Sequence, residues 1–151
     1  MNSSESIKSS SSEGNITVVL VRPDFPENIG LTARAMKSTG FSKLRLVQKE
    51  EFISEKASKT AVHSRDILKN ALIFKEISDA VGDCHTVFAA TSKSRKNYSC
   101  LSLDEAITKI LSYSSSVNIG LLFGNERTGL TGVELRQSNF RFTIPQAGRQ
   151  P

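Results

Sequence analysis

The sequence of 151 residues predicts an α/β domain built on a mostly parallel sheet flanked by helices. Two observations carry that expectation. Apolar, β-branched runs alternate with helical segments from residue 16 to residue 144, and no repeat of solenoid period interrupts them. The runs are also continuously apolar, as strands covered on both faces by helices must be.

Residues Met1 to Gly14 are mostly serine with a few charges, too little apolar surface to offset the entropy of ordering. They are expected to form a disordered tail ahead of a domain spanning 15–151. Ile16 to Val21 is the first strand. Asn28 to Thr39 is a helix, with Pro26 suited to its first turn and Gly40 to the left-handed residue that ends it. Lys43 to Gln48 returns as a strand, followed by a helical pair at Glu55 to Val62 and Arg65 to Lys69. Ala71 to Phe74 reads as a short strand and His85 to Thr91 as a longer one. Ser102-x-x-Glu105 is a capping box that opens a helix to about Ser112. Val117 to Phe123 is a buried strand. Thr131-x-x-Glu134 is a second capping box, for a short helix, and Phe140 to Ile144 is the last strand.

The composition is that of a soluble globular protein, with 38% hydrophobic and 23% charged residues. No apolar run approaches the roughly 20 residues that cross a bilayer, and the amino terminus carries no signal-peptide core, so a cytoplasmic location is expected. The net charge of +5 suits a polyanionic partner without identifying one. Cys84 and Cys100 lack CxxC spacing and neighbouring histidines, which favours two reduced thiols over a metal site or a disulfide. His63 and His85 read as ordinary surface or core residues. The matches to a glycosylation sequon at Asn15 and Asn97 have no secretory context. Neither a Walker sequence nor a Gly-x-Gly-x-x-Gly turn is present, which leaves a nicotinamide site with little support.

The segment with the densest chemistry is Pro26-Glu27-Asn28-Ile29-Gly30-Leu31-Thr32-Ala33-Arg34, at the carboxyl end of the first strand, where parallel sheets place their sites. Its Asn28-x-Gly30-x-x-x-Arg34 pattern, with Gly40-Phe41 beyond, resembles the first motif of the SpoU/TrmH family of RNA ribose 2'-O-methyltransferases. Leu121-Leu122-Phe123-Gly124-Asn125-Glu126-Arg127-Thr128-Gly129-Leu130 resembles the second, and Ile144-Pro145 the opening of the third. Ala61-Val62-His63-Ser64-Arg65-Asp66-Ile67-Leu68 and Ala90-Thr91-Ser92-Lys93-Ser94-Arg95 narrow the resemblance to its TrmJ/LasT-like branch. It covers about Asn15 to Pro145.

The resemblance implies a SPOUT-type knotted α/β fold, a homodimer with its active site at the interface, and S-adenosylmethionine as methyl donor to a tRNA ribose. The target it implies is a cytidine or uridine at position 32 of the anticodon loop. It places a Ser-x-Asn element soon after Ile144-Pro145, so the chain is expected to hold the amino-terminal major part of the domain without its knot-forming segment.

Three residues take catalytic roles by that resemblance. Arg34 would grip substrate phosphate and polarise the ribose hydroxyl, or in a bolder version remove its proton; a guanidinium with a pKa above roughly 12 favours the first. The alternative for Arg34 is an exposed helix arginine paired with a carboxylate. Asn28 is either a helix cap or an orienter of Arg34 and substrate, and Glu126 either an orienting carboxylate or a loop residue paired with Arg127. Donor contacts fall on Thr91, Ser92, Lys93, Gly124 and Ile144; for Gly124 a plain turn is the alternative. RNA contacts fall on Arg22, Arg95 and Lys96, with Tyr98 beside them as a stacking ring and Arg141 as a further phosphate ligand; a solvated basic loop is the alternative at 93–98. No metal is expected. The residues also admit a noncatalytic RNA-binding module or a small-molecule-binding α/β domain.

Overall fold

Six strands alternate with helices in the computed structural model, which describes residues 15–92 and 99–145. In chain order they are β1 (Ile16–Val21), α1 (Pro26–Thr39), β2 (Lys43–Val47), α2 (Lys56–Thr60), α3 (Arg65–Lys69), β3 (Leu72–Phe74), α4 (Ile77–Ala80), β4 (Thr86–Thr91), α5 (Leu103–Ser112), β5 (Ile119–Phe123), α6 (Gly132–Leu135) and β6 (Phe140–Thr143). All six strands join one parallel sheet in the order β3-β2-β1-β5-β4-β6.

Alternation along each strand divides the core between the two faces. Val19, Val87, Ala89 and Leu122 meet Ile77 and Ala80 of α4 and Leu135 of α6 on one face. Val18, Leu44 and Leu46 meet Ile29, Ala33 and Met36 of α1 and Ala57 of α2 on the other. On that same side Ile16, Phe88, Ile119 and Phe142 enclose Ala106 of α5. Both capping boxes form: Ser102 Oγ accepts from the Glu105 N–H at 3.1 Å and Thr131 Oγ1 from the Glu134 N–H at 3.1 Å. Gly40 closes α1 at φ 89°.

Three expectations are corrected. α1 starts at Pro26, with Phe25 as its cap residue, so Asn28 lies inside the first turn. β5 starts at Ile119, because the Asn118 N–H is taken by His85 Nδ1 at 2.8 Å. The helix α4 has no counterpart in the sequence reading: four residues are too short to show a helical period, and burial of Ile77 and Ala80 holds them.

α1 and α2 approach so closely that a Cβ on Gly30 would collide with Thr60 Oγ1 and the Ala57 carbonyl oxygen. Backbone cannot give way as a flexible side chain can. Gly30→Ala should therefore lower stability by about 1–3 kcal/mol despite its better helix propensity, read as a reduced denaturation midpoint. An unchanged midpoint would show that the two helices separate freely.

β1 leads through α1 to β2, and its neighbour β5 leads through α6 past β4 to β6. The two chains leave the sheet in opposite directions and on opposite faces, which opens a crevice at the carboxyl ends of β1 and β5.

Candidate active site

The loop after β1 and the loop after β5 close this crevice by binding each other. Glu126 reaches across to the start of α1, where no local side chain caps the helix. Its carboxylate accepts the Asp24 N–H at 2.8 Å, the Phe25 N–H at 3.2 Å and the Asn28 amide Nδ2 at 3.3 Å. A negative group is favoured there by the helix dipole as well as by free N–H donors. Partial burial works to raise the Glu126 carboxyl, but these donors outweigh it and hold the group below its ordinary value of 4.5.

Neither Asn28 nor Glu126 takes its local alternative. Asn28 does not cap α1 with its side chain; it extends the Glu126 bracket from the third helical position. Glu126 does not pair with Arg127, whose Nε binds Asp24 at 2.7 Å.

Asn125, buried, is a residue that the sequence reading passed over within its own motif. Its Nδ2 donates to the Arg22 carbonyl at 2.8 Å, and its Oδ1 accepts the N–H groups of Arg127 and Thr128 at 2.9 and 3.1 Å. An asparagine just after an apolar strand, with glycine four residues on, is the available signal for such a turn. Gly124 has a packing reason to be glycine: a Cβ there would collide with the Gly129 carbonyl carbon and the Leu130 nitrogen, where the loop folds back.

Arg22, expected to bind RNA phosphate, is instead committed within the protein. Its Nε and Nη2 donate to the two Glu134 oxygens at 2.7 and 2.8 Å, and Nη2 also reaches the Gly129 carbonyl at 3.2 Å. Glu134 thereby serves both its capping box and the loop after β1. The Arg22 backbone is held at a left-handed φ of 53°, with its N–H on the Val47 carbonyl at 2.8 Å.

Leu20, Pro23, Asn28, Thr32, Phe123, Gly124 and Glu126 line a cleft of about 260 Å³ between the two loops. Arg34 is not brought to Glu126. It stands about 9 Å along the helix and about 120° round from Asn28, exposed, with no hydrogen-bond or ion-pair partner among the described residues. Of the residues expected to hold a cofactor, the four described ones lie along neighbouring strand ends: Thr91 ends β4 and Ser92 follows it, Gly124 follows β5 beside it, and Ile144 follows β6 on its other side, where Thr91 and Thr143 are register partners. Lys93, Arg95, Lys96 and Tyr98 lie outside the described residues.

Ile144 is exposed beside these strand ends. The bracketed cleft adds a fixed carboxylate, an amide and, further along α1, an unengaged guanidinium.

The sequence profile of the SpoU rRNA Methylase family matches residues 15–151. The chain is 36% identical over 141 residues to the tRNA (cytidine-2'-O-)-methyltransferase TrmJ of Methanocaldococcus jannaschii, which covers 90% of this chain and 60% of that protein. It is 36% identical over 132 residues to the tRNA (cytidine/uridine/adenosine-2'-O-)-methyltransferase TrmJ of Pseudomonas aeruginosa, covering 86% and 51%. The crystal structure of TrmJ from Z. mobilis superposes with a TM-score of 0.80 at 31% identity, over 87% of this chain and 59% of that one. The chain thus spans between about half and 60% of the length of these relatives.

Proposed function

The chain belongs to the SpoU rRNA methylase family, and on that premise we propose that it is the major part of an S-adenosylmethionine-dependent tRNA ribose 2'-O-methyltransferase. The observation that carries the proposal is the Glu126 bracket on the first turn of α1, the helix that also presents Arg34. It gives the two polar motifs of the sequence one shared geometry.

S-adenosylmethionine supplies an electrophilic methyl group on a sulfonium. Thr91, Ser92, Lys93, Gly124 and Ile144 would hold it through main-chain groups. Arg34 grips the phosphate next to the target ribose and polarises the 2'-hydroxyl, since its guanidinium stays charged at neutral pH. Asn28 gives its N–H to Glu126 and keeps its carbonyl oxygen to accept from substrate. Glu126 keeps α1 at a constant distance from those strand ends, and such alignment is worth on the order of 7–11 kcal/mol in favourable intramolecular cases. Arg34 is remote from Glu126 within one chain, which fits an active site completed by a second copy in a homodimer. Arg95 and Lys96 contact the tRNA backbone, the target being a pyrimidine of the anticodon loop, and the enzyme works in the cytoplasm.

The test is methyl transfer from labelled S-adenosylmethionine to unmodified tRNA, beside tRNA carrying a single 2'-deoxy target. Transfer to the first and none to the second is the expected result. If tRNA binds without any transfer, the protein is a noncatalytic RNA-binding module. If it ignores RNA altogether, a small-molecule domain replaces the proposal.

A further inference from the structure

A groove of about 510 Å³ lies away from the bracketed cleft, at the outer edge of β6. Lys109, Arg136, Asn139 and Arg141 line it with Ser99 and Ser138, and no carboxylate is among its described lining residues. Lys109 comes from α5 on one face of the sheet and Arg136 from the end of α6 on the other, so the groove wraps the sheet edge. Arg22, Lys37, Arg45, Lys75 and Arg127 each meet a carboxylate, whereas neither Lys109 nor Arg136 meets one among the described residues.

Two details make the groove more than a basic surface. Lys109 is half-buried, its ammonium held 4.7 Å from the centroid of the Phe140 ring, which limits where the charge can point. Asn139 Oδ1 accepts the Val87 N–H at 2.8 Å, which orients the amide and leaves its Nδ2 as a donor. Converging cations repel one another unless an anion joins them. Donors of this kind, an ammonium, a guanidinium and a neutral amide, are the set that binds a phosphodiester.

We propose that this groove is a second RNA contact, holding a backbone phosphate of the tRNA outside the nucleotide that is methylated. It rests on the tRNA reading above. β6 lies two strand spacings from β5, about 10 Å, so one tRNA can reach the groove and the cleft together.

The experiment is tRNA binding by the parent and by the double variant Lys109→Gln/Arg136→Gln across a salt series, with a charge-preserving Lys109→Arg/Arg136→Lys control and thermal midpoints of all three. Loss of that phosphate contact should reduce the slope of log K against log salt by about 0.7–0.9 and weaken binding about tenfold near physiological salt, with methyl-donor affinity unchanged and the control restored. Equal slopes and affinities in parent and glutamine variant overturn the proposal while leaving the tRNA reading intact. A parent that binds no tRNA overturns both. If inorganic phosphate raises the melting temperature of the parent only, and tRNA affinity is equal in both, the groove is a small-anion site and not an RNA contact.

Discussion

Arg34→Ala should lower methyl transfer at saturating donor and tRNA by about 10²–10³-fold, the loss seen when one charge-stabilising donor is removed from an active site. The same change should leave stability within about 0.5 kcal/mol, because the side chain is exposed and engages no described residue. That separation makes the experiment decisive. A structural arginine would lose stability along with activity, and a merely solvated one would lose neither. Arg34→Lys keeps the charge but not the planar fork, so it should recover only part of the rate. Full activity in Arg34→Ala would remove the catalytic assignment.

Glu126→Gln should lower kcat by about 10- to 100-fold without abolishing donor binding, because α1 loses the anchor that sets its distance from the strand ends. Displacements near 1 Å are enough for losses of that size. One glutamine oxygen can still accept a single N–H, but its NH₂ then faces another donor where the carboxylate accepted both Asp24 and Phe25. The stability loss, discounted for the exposure of the group, is about 1–2 kcal/mol. The sign with pH follows from the lowered carboxyl. A group whose folded value lies below 4.5 stabilises the fold fully above about pH 5 and loses that contribution as pH falls through the folded value. The difference in thermal midpoint between parent and Glu126→Gln should therefore be constant near neutrality and shrink below pH 4.5. A gap that does not shrink as pH falls below 4.5 would assign it to packing rather than to charge.

Elements with local signals were legible in advance. The two capping boxes are complete within four residues each, and Gly40 takes the left-handed turn expected of it. The buried strands announced themselves by uninterrupted apolar runs, and β1 and β5 are accordingly central in the sheet. Where the sequence leaves a residue's partner open, the governing contact is remote in sequence. Asn28 was weighed as a cap because caps are normally local, but the carboxylate at this helix start comes from Glu126, 101 residues beyond Phe25. Arg22 reads as a phosphate ligand from sequence, and only the fold places Glu134, 112 residues on, beside it.

The order of apolar runs and turn residues alone determined that this chain forms a parallel α/β sheet, and its motif residues alone indicated the family and the side chains suited to ribose chemistry. Only the tertiary structure decided which of those side chains meet. Strand order places β1 against β5, joining Asn28 to Glu126 and Arg22 to Glu134, while the pitch of α1 carries Arg34 away from both. The physical reason is one of range: capping and periodicity act over one or two helical turns, whereas an ion pair or a bracket between loops exists only once the sheet has brought its strands together.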